Sequence, residues 1–553
     1  MKKTILFATA LLVLFNVPGQ AQTKEDAVKK TLNERYESAE SDLNSLLSKE
    51  SANGDLYAAA GDNYLYWGEF DKANALFKKG TEAAPTNPLN FAGLGRLAWL
   101  NGDATTATNR FNEAVAIITN KKNKVDKAVQ QMAYLKMAEA YLQTDKKNLE
   151  GAIAFITPAQ AINDKNPELY IQLGDYYRER DGIDLSNALG QYNKALELDP
   201  KYTRALLRKG VLYVNVKNYN EGLRYYNEAI VQDPNFAPAY REKAELLYLA
   251  GQYKSAIESY GKYLELNQNC RVQQRYASFI FLTKDYEKAI EELEKAQPCD
   301  PDNLYMFRLL GYAYTEVGNI EKGTENMDKF FEKATAKGSP EILGNDYAYK
   351  GKLLQKAGQD SLAIEMLKLA IEKDPEFVEG YGELATIYGK QKKYDLAADN
   401  YQKKIEKSEK PDELDYYYLG QYRYYNKQYA EADAAFANAA AKYPDANFWR
   451  GRSQNKLEVN ADAPVGLAKP YHEAFIKQVS VDPKYIETYK KSLVEAYSYL
   501  GLLYGKQGNF SCSKAAWLKV IELDPTNKVA NDVMTADKNL QAASEVGCVL
   551  IAE

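Results

Sequence analysis

The side chains that most often carry out catalysis or bind metals are scarce in this sequence. It contains one histidine, His472, among 553 residues. A catalytic triad needs its histidine between a nucleophile and an orienting acid, and a structural zinc site needs several Cys or His ligands. The sequence contains neither a phosphate-binding loop nor a GxSxG nucleophile motif. We therefore predict no catalytic, metal-binding or cofactor-binding residues, and we interpret His472 as a packing or surface residue.

Neighbouring carboxylates are the remaining candidates for acid–base chemistry. Pairs such as Glu291 and Glu292 recur with lysines nearby, which is typical of a solvated helix face. Glycoside hydrolysis needs two carboxylates, one on each side of the scissile bond. The sequence alone does not exclude such a pair placed across a groove. The prediction is a protein that is not an enzyme.

The N-terminus has the pattern of a secretory signal peptide. Two lysines precede an apolar run over residues 5–15, a Pro-Gly pair ends the run, and small residues follow up to Ala21. The run is shorter than the roughly 20 apolar residues that a membrane span needs, and no later stretch reaches that length. No cysteine lies near the cleavage point for lipid attachment. We expect cleavage near Ala21 and a mature chain that is soluble outside the cytoplasm, in a periplasm if the cell is Gram-negative.

A 34-residue repeat occupies most of the remaining chain. When each copy is numbered so that its closing proline is position 32, position 8 is small in nearly every copy, from Gly61 to Gly501. Position 20 is equally small, and aromatic residues recur at positions 11, 17 and 24, as helical packing requires. A proline at position 32 has no amide hydrogen and ends the second helix. The pattern predicts about thirteen helix hairpins and no strands.

This pattern resembles the tetratricopeptide repeat family over about residues 53–525. The resemblance implies an all-α, right-handed superhelical solenoid of about thirteen 34-residue helix-hairpin repeats. It also implies a concave surface, lined by the first helix of each pair, that binds peptides or whole protein partners. Such a motif specifies the fold far better than the ligand.

Breaks in the repeat indicate how the chain is organised. The twelfth repeat is the most irregular, since residues 458–467 lengthen it, by eight positions in this interpretation, and place Tyr471 at the small position 20. Residues 334–340 are the predicted hinge. The predicted segments are a signal peptide (1–21), N-terminal capping helices (22–52), the first part of the array (53–333), its second part (341–525), and a C-terminal capping helix and tail (526–553).

Four cysteines in an exported chain suggest two disulfides. Cys270 and Cys299 fall at positions 1 and 30 of the seventh repeat, which lie at the same end of a hairpin. Cys512 opens the second helix of repeat thirteen, and Cys548 lies in the tail that should fold back over it. The alternative is four buried free thiols.

In the geometry implied by the resemblance, positions 2, 5, 9, 12 and 13 face the groove. Arginine and aromatic side chains are the types that anchor interfaces. A competing interpretation is that each groove arginine pairs with a neighbouring acid such as Glu245 or Glu316 and stiffens the array. The predicted partner-binding residues are Arg241, Tyr248, Arg271, Phe281, Arg308, Tyr312, Tyr417, Tyr424 and Tyr425.

The overall charge restricts the class of partner. The formal net charge is −5, and loss of the two leader lysines makes it −7, which does not favour nucleic-acid binding. We therefore expect an exported scaffold or adaptor that binds protein partners or extended peptides, without direct membrane insertion. The alternative is a glycan- or small-ligand-binding protein that uses groove tyrosines. The sequence does not indicate an oligomeric state.

Overall fold

The computed structural model describes residues 23–143, 146–180, 182–267, 269–334, 341–460, 462–544, 548 and 550. The predicted signal peptide and residues 335–340 of the predicted hinge lie outside the described residues. Within those ranges the regular elements are α-helices and two short 3₁₀ turns. The predicted all-α repeat fold is therefore confirmed.

The chain divides into two compact units, residues 1–302 and 303–553. Successive helices pack as hairpins, and we call the first helix of each repeat the A helix and the second the B helix. The helices of the first unit are α1 (Lys24–Leu32), α2 (Tyr36–Lys49), α3 (Gly54–Trp67), α4 (Phe70–Ala83), α5 (Pro88–Leu100), α6 (Ala104–Thr119), α7 (Lys127–Leu142), α8 (Leu149–Ile162), α9 (Pro167–Arg178), α10 (Leu185–Leu198), α11 (Thr203–Asn215), α12 (Tyr219–Gln232), α13 (Ala237–Leu249), α14 (Tyr253–Leu266), α15 (Cys270–Leu282) and α16 (Tyr286–Ala296).

The second unit continues the same alternation of A and B helices. Its helices are α17 (Leu304–Glu316), α18 (Ile320–Lys333), α19 (Gly344–Lys356), α20 (Asp360–Lys373), α21 (Glu379–Lys390), α22 (Tyr394–Lys407), α23 (Glu413–Tyr425), α24 (Tyr429–Ala439), α25 (Pro444–Leu457), α26 (Lys469–Val479), α27 (Pro483–Thr488), α28 (Lys490–Lys506), α29 (Phe510–Leu523), α30 (Lys528–Ala536) and α31 (Lys538–Ala542).

The small residue at position 8 sets the distance between the two helices of a repeat. A Cβ built on Gly61 would overlap the ring of Phe77, sixteen positions later, and the same holds for Gly210 against Tyr226. Both rings are fully buried. Because a large side chain at position 24, aromatic in these two repeats and Met327 or Leu367 in others, fills the space that the small residue leaves, the hairpins share one packing arrangement.

A single residue in the left-handed conformation ends most A helices. Among the described residues at position 15, glycine takes this conformation in six repeats, such as Gly68 with φ of 84°. Lysine takes it in four others, such as Lys217 with φ of 61°. Glycine adopts positive φ without strain, whereas a side chain at this position costs conformational energy. The next helix is commonly started by an Asn or Asp cap, such as Asn218, whose side chain accepts from the Glu221 amide.

The twelfth repeat keeps this packing arrangement but with a different insertion from the predicted one. Gly451 packs against His472, which lies 21 positions later, whereas the spacing is sixteen in regular repeats such as Gly61–Phe77, so the insertion is five residues rather than eight. Ala468, fully buried, therefore takes the small position 20, and the prediction that Tyr471 does so is wrong. Sequence spacing failed here because the insertion contains no turn signal that fixes where the B helix begins.

Helices also cover both ends of the array. α1 and α2 precede the first repeat, and Ala39 and Leu43 of α2 are buried. The C-terminal segment forms two short helices, α30 and α31, separated by Asp537, whose carboxylate accepts from two amides of α31. Cys512 and Cys548 form a disulfide with a Cα–Cα distance of 5.2 Å. Cys299 is also disulfide-bonded, and the side chain of Cys270, its predicted partner, lies outside the described residues.

Candidate functional site

A buried ion network lies on the A-helix face of the first unit. Arg96 of α5 contacts Asp62 of α3, and its other nitrogen lies 2.9 Å from Glu139 of α7. Lys136 lies 3.1 Å from Asp62, and the Tyr66 hydroxyl donates to Glu139 at 2.7 Å. Burial alone would raise the pKa of Glu139, but Lys136 and Arg96 hold that pKa well below its usual value. The network therefore joins three consecutive A helices through ion pairs.

The charged side chains of this network also line a cavity of about 370 Å³ within the first unit. Its walls come from α1 and from the A helices of the first repeats, with Tyr202 and Arg204 at the start of α11. Charged side chains and apolar side chains share the lining. The apolar ones are Val28, Leu32, Ala58, Ala59, Leu89, Met132 and Leu135.

One polar atom in this cavity wall lacks a partner. Gln172 of α9 is 1% exposed, and its amide nitrogen donates to Glu168 at 3.1 Å. Its carbonyl oxygen, Oε1, accepts no hydrogen bond from the described residues. A buried unsatisfied acceptor costs about 1–3 kcal/mol. The wall therefore carries a polar group whose hydrogen-bonding capacity the protein leaves unused.

The turn between α1 and α2 connects the N-terminal hairpin to repeats five and six. Glu34 has a positive φ of 56° and accepts from Arg241 of α13 at 2.9 Å. The Tyr263 hydroxyl donates to the same carboxylate at 2.7 Å. Lys29 of α1 adds an ion pair with Asp233 at 3.3 Å. These contacts join residues about 200 positions apart within the first unit.

The three predicted groove arginines lie in different environments. Arg241 is engaged by Glu34 and, at 2.7 Å, by Glu242. Arg271 is exposed, and its guanidinium lies against Gly68, where a Cβ would come within 2.9 Å. In the second unit, Arg308 donates to the fully buried Asp346 at 2.9 Å. For Arg241 and Arg308 this geometry favours the competing interpretation, in which the arginines pair with acids of the array.

The aromatic residues predicted beside these arginines also make internal contacts. The Tyr248 ring stacks on Phe279 with centroids 5.2 Å apart, and Phe281 packs edge-on against Tyr286 at 5.2 Å. Tyr312 is 7% exposed, and its hydroxyl donates to Asp346 at 2.7 Å. Most of the area of these rings is thus in contact with the array itself.

The tyrosines of repeat eleven belong to an aromatic surface in the second unit. The Tyr417 hydroxyl donates to Asp445 and accepts from the indole nitrogen of Trp449 at 3.2 Å. Tyr424 packs edge-on against Trp449 with centroids 5.1 Å apart. Tyr425 remains 45% exposed. The predicted residues Tyr417, Tyr424 and Tyr425 thus surround one indole ring.

Arg452 of α25 completes this surface. Its guanidinium carbon lies 4.8 Å from the centre of the Trp449 ring, and its Nε lies 2.7 Å from Glu495. Cation–π contacts of this kind hold a guanidinium over an aromatic face. We call Tyr424, Tyr425, Trp449 and Arg452 the aromatic–arginine cluster.

Sequence reasoning missed the network residues Asp62, Arg96 and Glu139. All three occupy position 9 of consecutive repeats, directly after the small position 8. The alternation of acidic, basic and acidic residues at position 9 of consecutive repeats could have indicated that these helices interact through ion pairs. Trp449 and Arg452 of α25 were also missed, although both precede the insertion in repeat twelve.

Metal and membrane signals are both lacking in the described part of the chain. No three His, Cys, Asp or Glu side chains converge there into a group that could hold a metal ion. None of the described helices is long and apolar enough to cross a bilayer.

Comparisons with known proteins identify the family. The tetratricopeptide repeat family model matches residues 207–269. The solved C-terminal part of a TPR repeat-containing protein from Cytophaga hutchinsonii is 31% identical, and the match covers 47% of this chain and 98% of that one, with a TM-score of 0.41.

Two further relatives carry the same repeat in their names. TPR repeat-containing protein YpiA of Bacillus subtilis is 23% identical over 309 residues, which is 55% of this chain and 70% of that protein. TPR repeat-containing protein MJ1428 of Methanocaldococcus jannaschii is 22% identical over 496 residues, which is 83% of this chain and 74% of that protein. The repeat columns, the helix hairpins and the 31% identical relative agree, and this chain belongs to the tetratricopeptide repeat proteins.

Proposed function

We propose that this protein is an exported, non-enzymatic scaffold that binds a protein partner on the A-helix face of repeats eleven and twelve. The observation that carries the proposal is the aromatic–arginine cluster. Tyr425 is 45% exposed and Arg452 about one-third exposed, so both can contact a partner. Trp, Tyr and Arg are the residue types most enriched among interface anchors. Helical repeat proteins in general serve protein–protein interaction, which agrees with this assignment.

The same contacts weigh against the alternative of glycan binding by groove tyrosines. A sugar needs an aromatic face free for stacking. The ring of Tyr417 packs against Phe436 and Tyr443, with centroids 5.7 and 5.8 Å away. Tyr424 is likewise packed between Tyr425, Tyr429 and Trp449. Within the aromatic–arginine cluster, ring edges and the half-exposed ring of Tyr425 remain open, which suits a protein surface better than a stacked sugar.

Two features support export. The N-terminal residues have the charge and apolar pattern of a signal peptide. The Cys512–Cys548 disulfide would persist in an oxidising compartment and be reduced in the cytosol. We expect protein purified from its native cell to begin near Gln22 and to keep this bond under non-reducing conditions. A native chain that retains residues 1–21, with Cys512 and Cys548 as free thiols, would contradict export.

The binding proposal is tested by replacing two side chains of the cluster. Immobilised mature protein should retain a stoichiometric partner from envelope extract, and the Tyr425→Ala/Arg452→Ala variant should retain at least tenfold less, because both anchors are removed. Tyr219→Ala is the matched control, since Tyr219 is 49% exposed and lies in the first unit.

Three results would count against this assignment. Equal retention by the double variant and the wild type would place the binding surface elsewhere. Equal loss in the Tyr219→Ala control would indicate a general effect of removing exposed tyrosines. Retention on polysaccharide together with no protein partner would favour the glycan-binding alternative.

A further inference from the structure

In the second unit, positive charge is concentrated where the A helices of repeats ten to twelve end and turn toward the B helices. Residues 390–395, 425–430 and 456–460 form these A–B turns, and they contain five lysines and two acids. One of the two acids, Glu458, already accepts from the amides of Gly466 and Leu467. The five lysines are all exposed, and we call them the basic edge: Lys390, Lys392, Lys393, Lys427 and Lys456.

The opposite edge of the same repeats has the opposite sign of charge. It is formed by the B–A turns that connect successive repeats, residues 373–379, 407–415 and 442–445, which contain eight acids and four lysines. One of these lysines, Lys442, lies 3.0 Å from Glu413. A single exposed lysine is ordinary, but two edges of opposite sign on one stack of helices give the surface a direction. Charge separated in this way orients an approaching charged partner.

The basic edge is continuous with the aromatic–arginine cluster. Tyr394 begins α22 directly after two lysines of the edge, and its ring centroid lies 5.2 Å from that of Tyr425. Lys427 follows Tyr425 by two residues, in the turn after α23. Lys456 follows Arg452 by four residues of α25, which is about one helical turn. Exposed aromatic area and positive charge therefore form one surface across three repeats.

We propose that the basic edge binds an acidic segment of the protein partner, that is, a stretch of chain rich in aspartate and glutamate. This inference rests on the proposed function and names the chemistry of its partner. The carboxylates of the segment face the lysines, and an apolar side chain of the segment contacts the 45% exposed ring of Tyr425. Ion pairs between exposed groups add little affinity one by one. The lysines therefore act mainly on the rate of association and on its salt dependence.

The surroundings of the basic edge favour a protein segment over other polyanions. Domains that bind nucleic acids are basic overall, whereas this chain has a formal net charge of −5. Stable attachment to an anionic membrane needs an apolar helix face or a lipid anchor besides basic residues. An acidic peptide needs only a few positive charges and an apolar contact, and the surface of repeats ten to twelve provides both.

Peptide titration of the mature full-length chain tests the proposal. The probe is a fluorescein-labelled, glutamate-rich octapeptide with a central phenylalanine, and the matched peptide has glutamine in place of every glutamate. At low ionic strength, fluorescence anisotropy should show saturable binding of the acidic peptide and at least tenfold weaker binding of the glutamine peptide. Physiological ionic strength should weaken binding of the acidic peptide, because it shortens the Debye length to about 8 Å.

Two matched variants test whether the peptide binds at the basic edge. Lys392→Gly/Lys427→Gly removes two charges at turn positions with φ of 59° and 64°, which glycine adopts without strain, so this variant should fold. We expect it to bind the acidic peptide at least fivefold more weakly, with a shallower dependence on salt. Lys217→Gly/Lys284→Gly is the control and should leave the affinity unchanged, because these exposed lysines have the same turn conformation but lie in the first unit.

Three results would overturn the proposal. They are equal binding of the two peptides, an equal loss of affinity in the control variant, and tighter binding of phosphatidylglycerol vesicles or duplex DNA than of the acidic peptide.

Retention of the envelope partner separates this inference from the proposed function. If Lys392→Gly/Lys427→Gly retains the partner like the wild type while Tyr425→Ala/Arg452→Ala loses it, the scaffold assignment stands and the acidic segment is wrong. If instead Tyr425→Ala/Arg452→Ala retains the partner fully while Lys392→Gly/Lys427→Gly loses both the partner and the acidic peptide, the basic edge is the binding site. The cluster assignment under the proposed function then fails alone.

Discussion

His472 occupies the position where other repeats place a buried aromatic ring. It is 2% exposed, and a Cβ on Gly451 would come within 2.6 Å of its ring. Its Nδ1 has no hydrogen-bond partner among the described residues. Burial, with a smaller effect from Arg452, lowers the pKa of His472 to about 4. The residue was predicted to serve packing or the surface rather than chemistry, and its environment is that of a packing residue.

This burial makes the stability of the second unit sensitive to acid. The unfolded chain binds a proton near pH 6.5 whereas the folded chain does so only near pH 4, so stability is lost as the pH falls through this window. His472→Phe, which restores the ring found at Phe436 and Phe77, removes the effect. Between pH 7 and pH 5 the free energy of unfolding should fall about 2 kcal/mol less in His472→Phe than in the wild type.

Urea unfolding at both pH values, followed through hydrogen exchange in α25 and α26, measures this difference. The carboxylates contribute equally to both proteins and cancel in the comparison. An identical acid dependence in wild type and His472→Phe would show that His472 does not cause it.

At the scale of the helix hairpin, two glycines can have opposite effects on stability, depending on their position in the repeat. Gly210 lies at position 8, where an added Cβ would overlap the Tyr226 ring. Gly190, in the exposed face of α10, has no atom near an added Cβ. Alanine at position 8 occurs in other repeats, such as Ala244 opposite Tyr260, but there the hairpin is built around it. The cost of a methyl group therefore depends on the position in the repeat.

We predict opposite effects for the matched substitutions Gly210→Ala and Gly190→Ala. Gly210→Ala should destabilise the α11–α12 hairpin by about 1–3 kcal/mol through overpacking. Gly190→Ala should stabilise α10 by about 0.5–1 kcal/mol, because alanine is the better helix former. Hydrogen exchange of the two hairpins measures each locally. Equal effects of both substitutions would show that position 8 does not set the helix spacing.

The helix hairpins were predictable from sequence because a column repeated thirteen times leaves little ambiguity. The turn conformations were harder, since Lys217 and Lys427 adopt positive φ at position 15 although lysine does not favour it. There the packing of both helices determines the turn and overrides the local preference. The register of repeat twelve was wrong for a related reason, since only the contact between Gly451 and His472 shows where its B helix lies.

At the scale of the whole unit, contacts between distant repeats decide what the groove residues do. The 34-residue period predicts packing within a repeat and between adjacent repeats. It does not predict the contact between Glu34 and Arg241, which are 207 positions apart. For this reason the sequence could place Arg241 and Tyr248 on groove positions but could not reveal their partners. The cavity was beyond sequence reasoning too, because α1 covers it from outside the repeat.

The Glu34 contact predicts that the N-terminal hairpin stabilises the first unit from a distance. Glu34→Gln removes the charge that faces Arg241 and leaves that guanidinium with Glu242 alone. The free energy of unfolding should fall by about 1.5–3 kcal/mol, as for other hydrogen bonds to charged groups. It should appear as faster hydrogen exchange in α1, α2 and α13 together, since the contact joins these helices. Glu37→Gln, at an exposed position one turn away, is the matched control and should change none of them.

A double-mutant cycle with Arg241→Gln isolates this contact from other effects of the substitutions. If Glu34 and Arg241 act on each other, the double variant loses less stability than the sum of the two single variants. Because Tyr263 also donates to Glu34 at 2.7 Å, part of the loss in Glu34→Gln persists when Arg241 is already replaced. Additive losses, or faster exchange confined to α1 and α2, would mean that the N-terminal hairpin is only an end cap. In that case Arg241 would be available to a partner, as its groove position first suggested.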